Sequence, residues 1–131
     1  MTPGREREEA ERGSVSVELV VATPLMLLLT MSVVQFALWA HATHIAQAAA
    51  NAGVQAARAY TSTAQAGRDD ATTILDQLAG TVLTGTHVDA SRDATTATVT
   101  VTGQAVAVLP GLHLPVRVSV TAPRERVPGI P

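Results

Sequence analysis

The sequence predicts an α+β protein. One long N-terminal helix crosses a membrane and continues as a stalk, followed by a short helix and a small antiparallel β-sheet. Three patterns carry this expectation. From Leu19 to Ala40 the chain reads LVVATPLMLLLTMSVVQFALWA, 22 residues without a charge. Ala71, Ile74, Leu75 and Leu78 repeat at the spacing of one helix face. Ala97, Val99 and Val101 alternate with Thr96, Thr98, Thr100 and Thr102, the two-residue period of a half-buried strand.

The first element follows from length. At about 1.5 Å per residue the uncharged run makes a helix of roughly 33 Å, against a hydrocarbon core of about 30 Å. Its polar residues, Thr23, Thr30, Ser32 and Gln35, are isolated and form no polar face. A buried core helix and a cleaved signal peptide are the competing readings. Ala46-Gln47-Ala48 would supply a small-residue cleavage site, but signal h-regions run about 7–15 residues and this run is longer. Cleavage there would also cut a helix that reads as continuous to Tyr60, with Gly53 its one weak interior position. Arg5, Arg7 and Arg12 precede the run, and only Arg58 follows within twenty residues. The positive-inside rule then keeps the N-terminus cytoplasmic and places the C-terminus outside, with Trp39 at the outer interface.

Beyond the run, Ala42, Ala49, Ala52, Ala56 and Ala59 form a small-residue stripe suited to close helix approach. Thr61–Gly67 reads as a polar break. The second helix is expected from Arg68, with Asp69 and Asp70 in its first turn and Gly80 ending it. Strands are expected at Thr86–Ala90, Thr95–Thr102 and around Val116–Val120, with Ala105–Leu109 continuing after a bend at Gly103 and a turn at Pro110-Gly111. A sheet with one apolar face needs a cover, and the second helix and the outer half of the long helix are the candidates. The expected organisation is a leader over 1–13, membrane and stalk helix over 14–60, an exported α+β head over 61–122, and a flexible Pro-rich tail over 123–131.

Composition narrows the chemistry. The 131 residues carry nine basic and eleven acidic side chains, and every basic one is Arg. Without Lys there is no Schiff-base chemistry and no P-loop lysine, and without Cys no disulfide, thiolate metal site or cysteine nucleophile. A net charge of −2 argues against nucleic acid as a partner. The acids beyond Glu18 and the four His are scattered, no Ser has a neighbouring His/Asp set, and no Gly-rich phosphate loop follows a strand. His41 and His44 share a helix face but lack a third ligand nearby. No enzyme activity, cofactor, metal or small-molecule substrate is expected.

The remaining constellation is Arg12-Gly13-Ser14-Val15-Ser16-Val17-Glu18-Leu19, a charged leader, a Gly, four uncharged residues and an acid at the edge of the apolar run. An acid at a lipid boundary is costly and calls for a partner. Read alone, Glu18 in the headgroups at the start of the span is an equal alternative. The whole pattern resembles the processing signature of type IV prepilins, and GSVSVELVVATPLMLLL with the later AAANAGVQAARAY most resembles the TadE-like proteins of the tight-adherence (Flp-type) pilus system. Leu19 stands where many relatives carry Phe.

The resemblance implies a pilin-like fold and cleavage by a prepilin peptidase between Gly13 and Ser14. It also implies that Glu18 pairs with the freed amine of a neighbouring subunit, and that Pro24 kinks the helix. Its implied partners are the peptidase, other pilins or pseudopilins, the assembly platform and the lipid bilayer. The implied location is the cytoplasmic (inner) membrane as a single-pass protein, with incorporation into an extracellular pilus. An exported domain of this size points to a minor pilin or pseudopilin rather than a major subunit. The alternative is a signal-anchored or secreted surface binding module with no pilus role.

Overall fold

The computed structural model describes residues 3–129. It is α+β: helix α1 (Pro3–Arg58), helix α2 (Ala64–Leu78), and strands β1 (Leu83–Arg92), β2 (Thr96–Ala105) and β3 (Leu114–Pro123). The strands form one antiparallel sheet in the order β1-β2-β3. Two compact units divide between Val34 and Gln35.

The first unit is helical. Nearly all large apolar side chains from Val15 to Val34 stand exposed, and the helix is long and apolar enough to cross a bilayer. The hydroxyls of Thr30 and Ser32 donate to the carbonyls of Met26 and Leu28, at 2.9 and 2.8 Å, so neither presents an unpaired O–H to an apolar surround. α1 runs through Pro24 without a break.

The second unit has a helical layer over one sheet face. α1 contributes Ala42, Ile45, Ala46, Ala49, Val54 and Ala57 to the core. α2 adds Ala71 and Leu75, and the sheet adds Val88, Val99, Val101, Val116 and Val118. Of the expected stripe only Ala42 and Ala49 are fully buried; Ala52, Ala56 and Ala59 are half-buried, and the packed face runs instead through Ala46, Ala50, Gly53 and Ala57. Gly53 and Gly67 bring the helices to backbone contact: a Cβ on Gly53 would lie 2.7 Å from the Gly67 carbonyl oxygen, and one on Gly67 would lie 2.7 Å from Ala57 Cβ.

That contact corrects the expected start of α2. The helix begins at Ala64, before Gly67, with Thr63 as N-cap accepting from the Ala66 N–H at 3.1 Å. Gly67 is an interior helix residue chosen for proximity, not a breaker. Gly80, at φ +50, closes α2 in the left-handed region as expected. The packed face is Gly67, Ala71 and Leu75, while Leu78 is exposed and Ala79 takes its place.

The sheet is longer than the alternation indicated. β1 runs from Leu83 to Arg92, and its register with β2 shifts between Thr84 and His87, where Gly85 sits at φ +59. The irregularity is therefore on β1, and β2 passes straight through Gly103, where a Cβ would lie 2.9 Å from Leu83 Cδ1. Residues 106–109 do not extend the strand. On the uncovered face the hydroxyl pairs Thr98–Thr121 and Thr100–Ser119 lie at 2.8 and 2.9 Å.

The β1–β2 turn is closed by Asp93, whose carboxylate accepts from the N–H groups of Thr95 and Thr96, both at 2.7 Å, and from both hydroxyls. Those bonds, the Thr95 N–H first, hold its pKa at about 2, below the ordinary 3.8. Past α1, Arg92 donates to the carbonyls of Ala59, Tyr60 and Ser62, placing a cation at the C-terminal end of the helix. The Glu125 N–H donates to Arg58 O at 2.9 Å and the Arg124 N–H to Thr95 O at 2.8 Å, so the first tail residues are held. Residues 130 and 131 of the tail and 1 and 2 of the leader lie outside the described residues.

Candidate functional site

Gly13, Ser14, Glu18 and Pro24 all lie on α1. Ser14 and Glu18 are four residues apart and so share one helix face, about 40° apart in projection. Both are exposed, and a Cβ on Gly13 would meet nothing within 4 Å. Gly13 thus has no packing reason to be Gly, unlike Gly53 and Gly67. The Ser16 hydroxyl donates to Arg12 O at 3.0 Å, bridging the turn that contains the Gly13–Ser14 bond. Pro24 is six residues past Glu18, on a different face.

The geometry around Glu18 has a definite electrostatic sense. A chain starting at Ser14 would place Glu18 in the first turns of α1, where a negative charge is favourable beside unpaired backbone N–H groups and an ammonium. In the chain as it stands, Ser14 and Glu18 are interior to the helix.

The structure also shows a site that the apolar pattern concealed. Gln35, the one amide in the uncharged run, is only 3% exposed. Its Nε2 donates to Val106 O at 3.0 Å, and its Oε1 accepts from the Val108 N–H at 2.7 Å and the Leu109 N–H at 3.4 Å. Trp39, one turn on, donates through Nε1 to Pro115 O at 3.3 Å. Gln35 therefore fixes the β2–β3 loop, which ends β2 where the alternation suggested more strand. An isolated amide in an apolar run was the available signal.

Elsewhere the polar groups do not converge. His41 and His44 are exposed, and among the described residues no group of three His, Asp or Glu is placed to hold a metal. His87 and Asp89 approach to 3.3 Å on the surface of β1. Beside them a groove of about 390 Å³ against α2 is lined by exposed Arg68, Asp76 and Asp89 rather than by a buried, oriented set.

Comparison with known proteins bears on α1. A family model described as TadE-like protein matches residues 13–55. Over that segment the chain is similar to the TadE-like family. The match begins at Gly13 and includes Glu18, the whole uncharged run, Gln35 and Gly53. No curated protein and no solved structure matches the chain.

Proposed function

We propose that the protein is a minor pilin or pseudopilin of a tight-adherence (Flp-type) pilus or related secretion machinery. The observation that carries this reading is the TadE-like segment opening at Gly13, with Glu18 five residues on and an exposed apolar helix beyond. A prepilin peptidase cuts between Gly13 and Ser14. Gly13 suits a protease that must approach the backbone closely, since it presents no side chain. Because the bond lies within a helix in the structure, the peptidase must open that turn, including the Ser16–Arg12 bond, to reach it.

The chain then sits once in the cytoplasmic membrane with its N-terminal side cytoplasmic, as Arg5, Arg7 and Arg12 favour. Glu18 faces the edge of the hydrocarbon. Two opposite charges at low dielectric relieve each other's desolvation, so Glu18 and the Ser14 amine of a neighbouring subunit favour assembly over a lone subunit. Pro24 removes one backbone donor in the span and serves as the point where the helix yields on extraction. The partners are the peptidase, other pilin subunits, the assembly platform and lipid. Catalysis has no part in this role.

Integration of α1 with the core favours this over a secreted module. Cleavage near residue 48 would remove Ala42, Ile45 and Ala46, all buried in the core of the second unit. Expression of Gly13→Ala and Glu18→Ala variants in the native host tests the proposal. Gly13→Ala should abolish the shorter processed form. Glu18→Ala should leave processing intact and reduce piliation, and normal piliation with it would remove the charge-pairing step.

A further inference from the structure

We propose that the β2–β3 loop, Val106 to Leu112, is a second membrane contact that inserts at the outer lipid interface beside α1. The inference rests on the reading of residues 19–40 as a bilayer-spanning helix. Three observations carry it.

The first is position along the chain. Gln35 lies five residues before the end of the uncharged run at Ala40, about 7.5 Å along a helix. The loop it holds is therefore drawn to the depth at which interfacial segments sit, about 5–10 Å into the headgroup and acyl boundary. The second is composition. The segment VAVLPGL has no charged residue, Val108 is 38% exposed, and Phe36, the residue after Gln35 on α1, is 65% exposed.

The third is the treatment of the loop backbone. In lipid, every N–H and C=O must be paired within the protein, and irregular loops normally fail that requirement. Here Gln35 takes Val106 O and the Val108 and Leu109 N–H groups. The Val106 N–H donates to Val82 O at 2.8 Å and the Leu112 N–H to Leu109 O at 3.3 Å, while Pro110 has no N–H to satisfy. Among the described residues the Ala107 and Gly111 N–H groups have no protein partner, which headgroup depth allows and the hydrocarbon centre would not. The Trp39 indole, amphipathic and tied to Pro115 O, marks the same level.

The chain has no Cys, so single-cysteine variants of the full protein give clean labelling. Each would be labelled with an environment-sensitive fluorophore and placed one copy per disc in phosphatidylethanolamine/phosphatidylglycerol nanodiscs. Quenching would be read with lipids carrying a nitroxide at the headgroup or deep in the acyl chain. Val108→Cys is the test position, with Pro110→Cys at the loop tip as the independent second. Leu28→Cys reports the spanning helix, and Ser91→Cys, at the end of β1 away from Leu83, reports the aqueous face. At least twofold quenching at both loop positions by the shallow nitroxide, with none at Ser91, is the expected result. Quenching at Leu28 but not at the loop overturns the inference and leaves the spanning helix intact. A blue-shifted loop label that lipid nitroxides do not quench means protein covers it, and also overturns the inference. No quenching at Leu28 overturns the membrane reading itself.

Discussion

Gly53→Ala is the most informative single perturbation of the fold, because propensity and packing predict opposite signs. In an exposed helix the change gains about 1 kcal/mol. At Gly53 the new methyl would sit 2.7 Å from the Gly67 carbonyl oxygen, 3.0 Å from Ala71 Cβ and 3.1 Å from Val99 Cγ1. The nearest of these is backbone and cannot rotate away, so α2 must shift by several tenths of an ångström and loosen its contacts on the sheet. Overpacking of this kind costs about 1–3 kcal/mol, and three-sided confinement against main chain argues for the upper end. The net expectation is a loss of about 2 kcal/mol, a fall in Tm of roughly 8–16 °C for a unit of this size. The assay is thermal unfolding of the full chain in detergent, followed by circular dichroism and Trp39 emission. Gly4→Ala is the control, since a Cβ there meets nothing within 4 Å. An unchanged or raised Tm for Gly53→Ala would refute the account of the α1–α2 crossing.

Gln35→Leu keeps the apolar character of the run but strips the loop of its partner; stranding Val106 O and the Val108 N–H, at about 1–3 kcal/mol each, predicts a loss of roughly 2–6 kcal/mol. Faster hydrogen exchange at the Val108 amide would register it, and unchanged protection would count against the loop's dependence on Gln35. Asp93 predicts an acid-sensitive turn. Its folded pKa of about 2 lies below the unfolded value, so as pH falls from about 4 to 2 the unfolded chain takes up a proton first and stability declines. Asp93→Asn should flatten that part of the pH dependence, which a Tm series would show. A fragment of residues 61–131 should fail to give a sharp, high-temperature transition by circular dichroism, because Ala42 to Ala57 of α1 supply one wall of its core. A fragment of residues 35–131 should unfold cooperatively.

The parts of the fold legible in the sequence were those where one physical signal dominated. Twenty-two uncharged residues leave little choice but a membrane-length helix, and Val/Thr alternation announced β2 and β3. At Gly67 the sequence is ambiguous, because glycine signals both a helix break and a close approach, and only the packing of α1 residues Gly53 and Ala57 against it decides between them. The extent of β1 was hidden because Gly85 and the register shift interrupt its alternation. Gln35 and Arg92 act over 71 and 30 residues of sequence, on backbone groups that carry no side-chain identity, so no local pattern could pair them with Val106 and Ser62. The candidate site had the reverse character. Gly13, Ser14 and Glu18 form a local pattern, readable without a fold, and the structure adds that they lie exposed on one helix.

The measurement that bears most directly on the account is the intact mass and N-terminal sequence of the chain extracted from membranes of its native host. The account predicts a single species beginning at Ser14 and retaining the apolar helix. A species that keeps residues 1–13, or one that begins near residue 49, would contradict it.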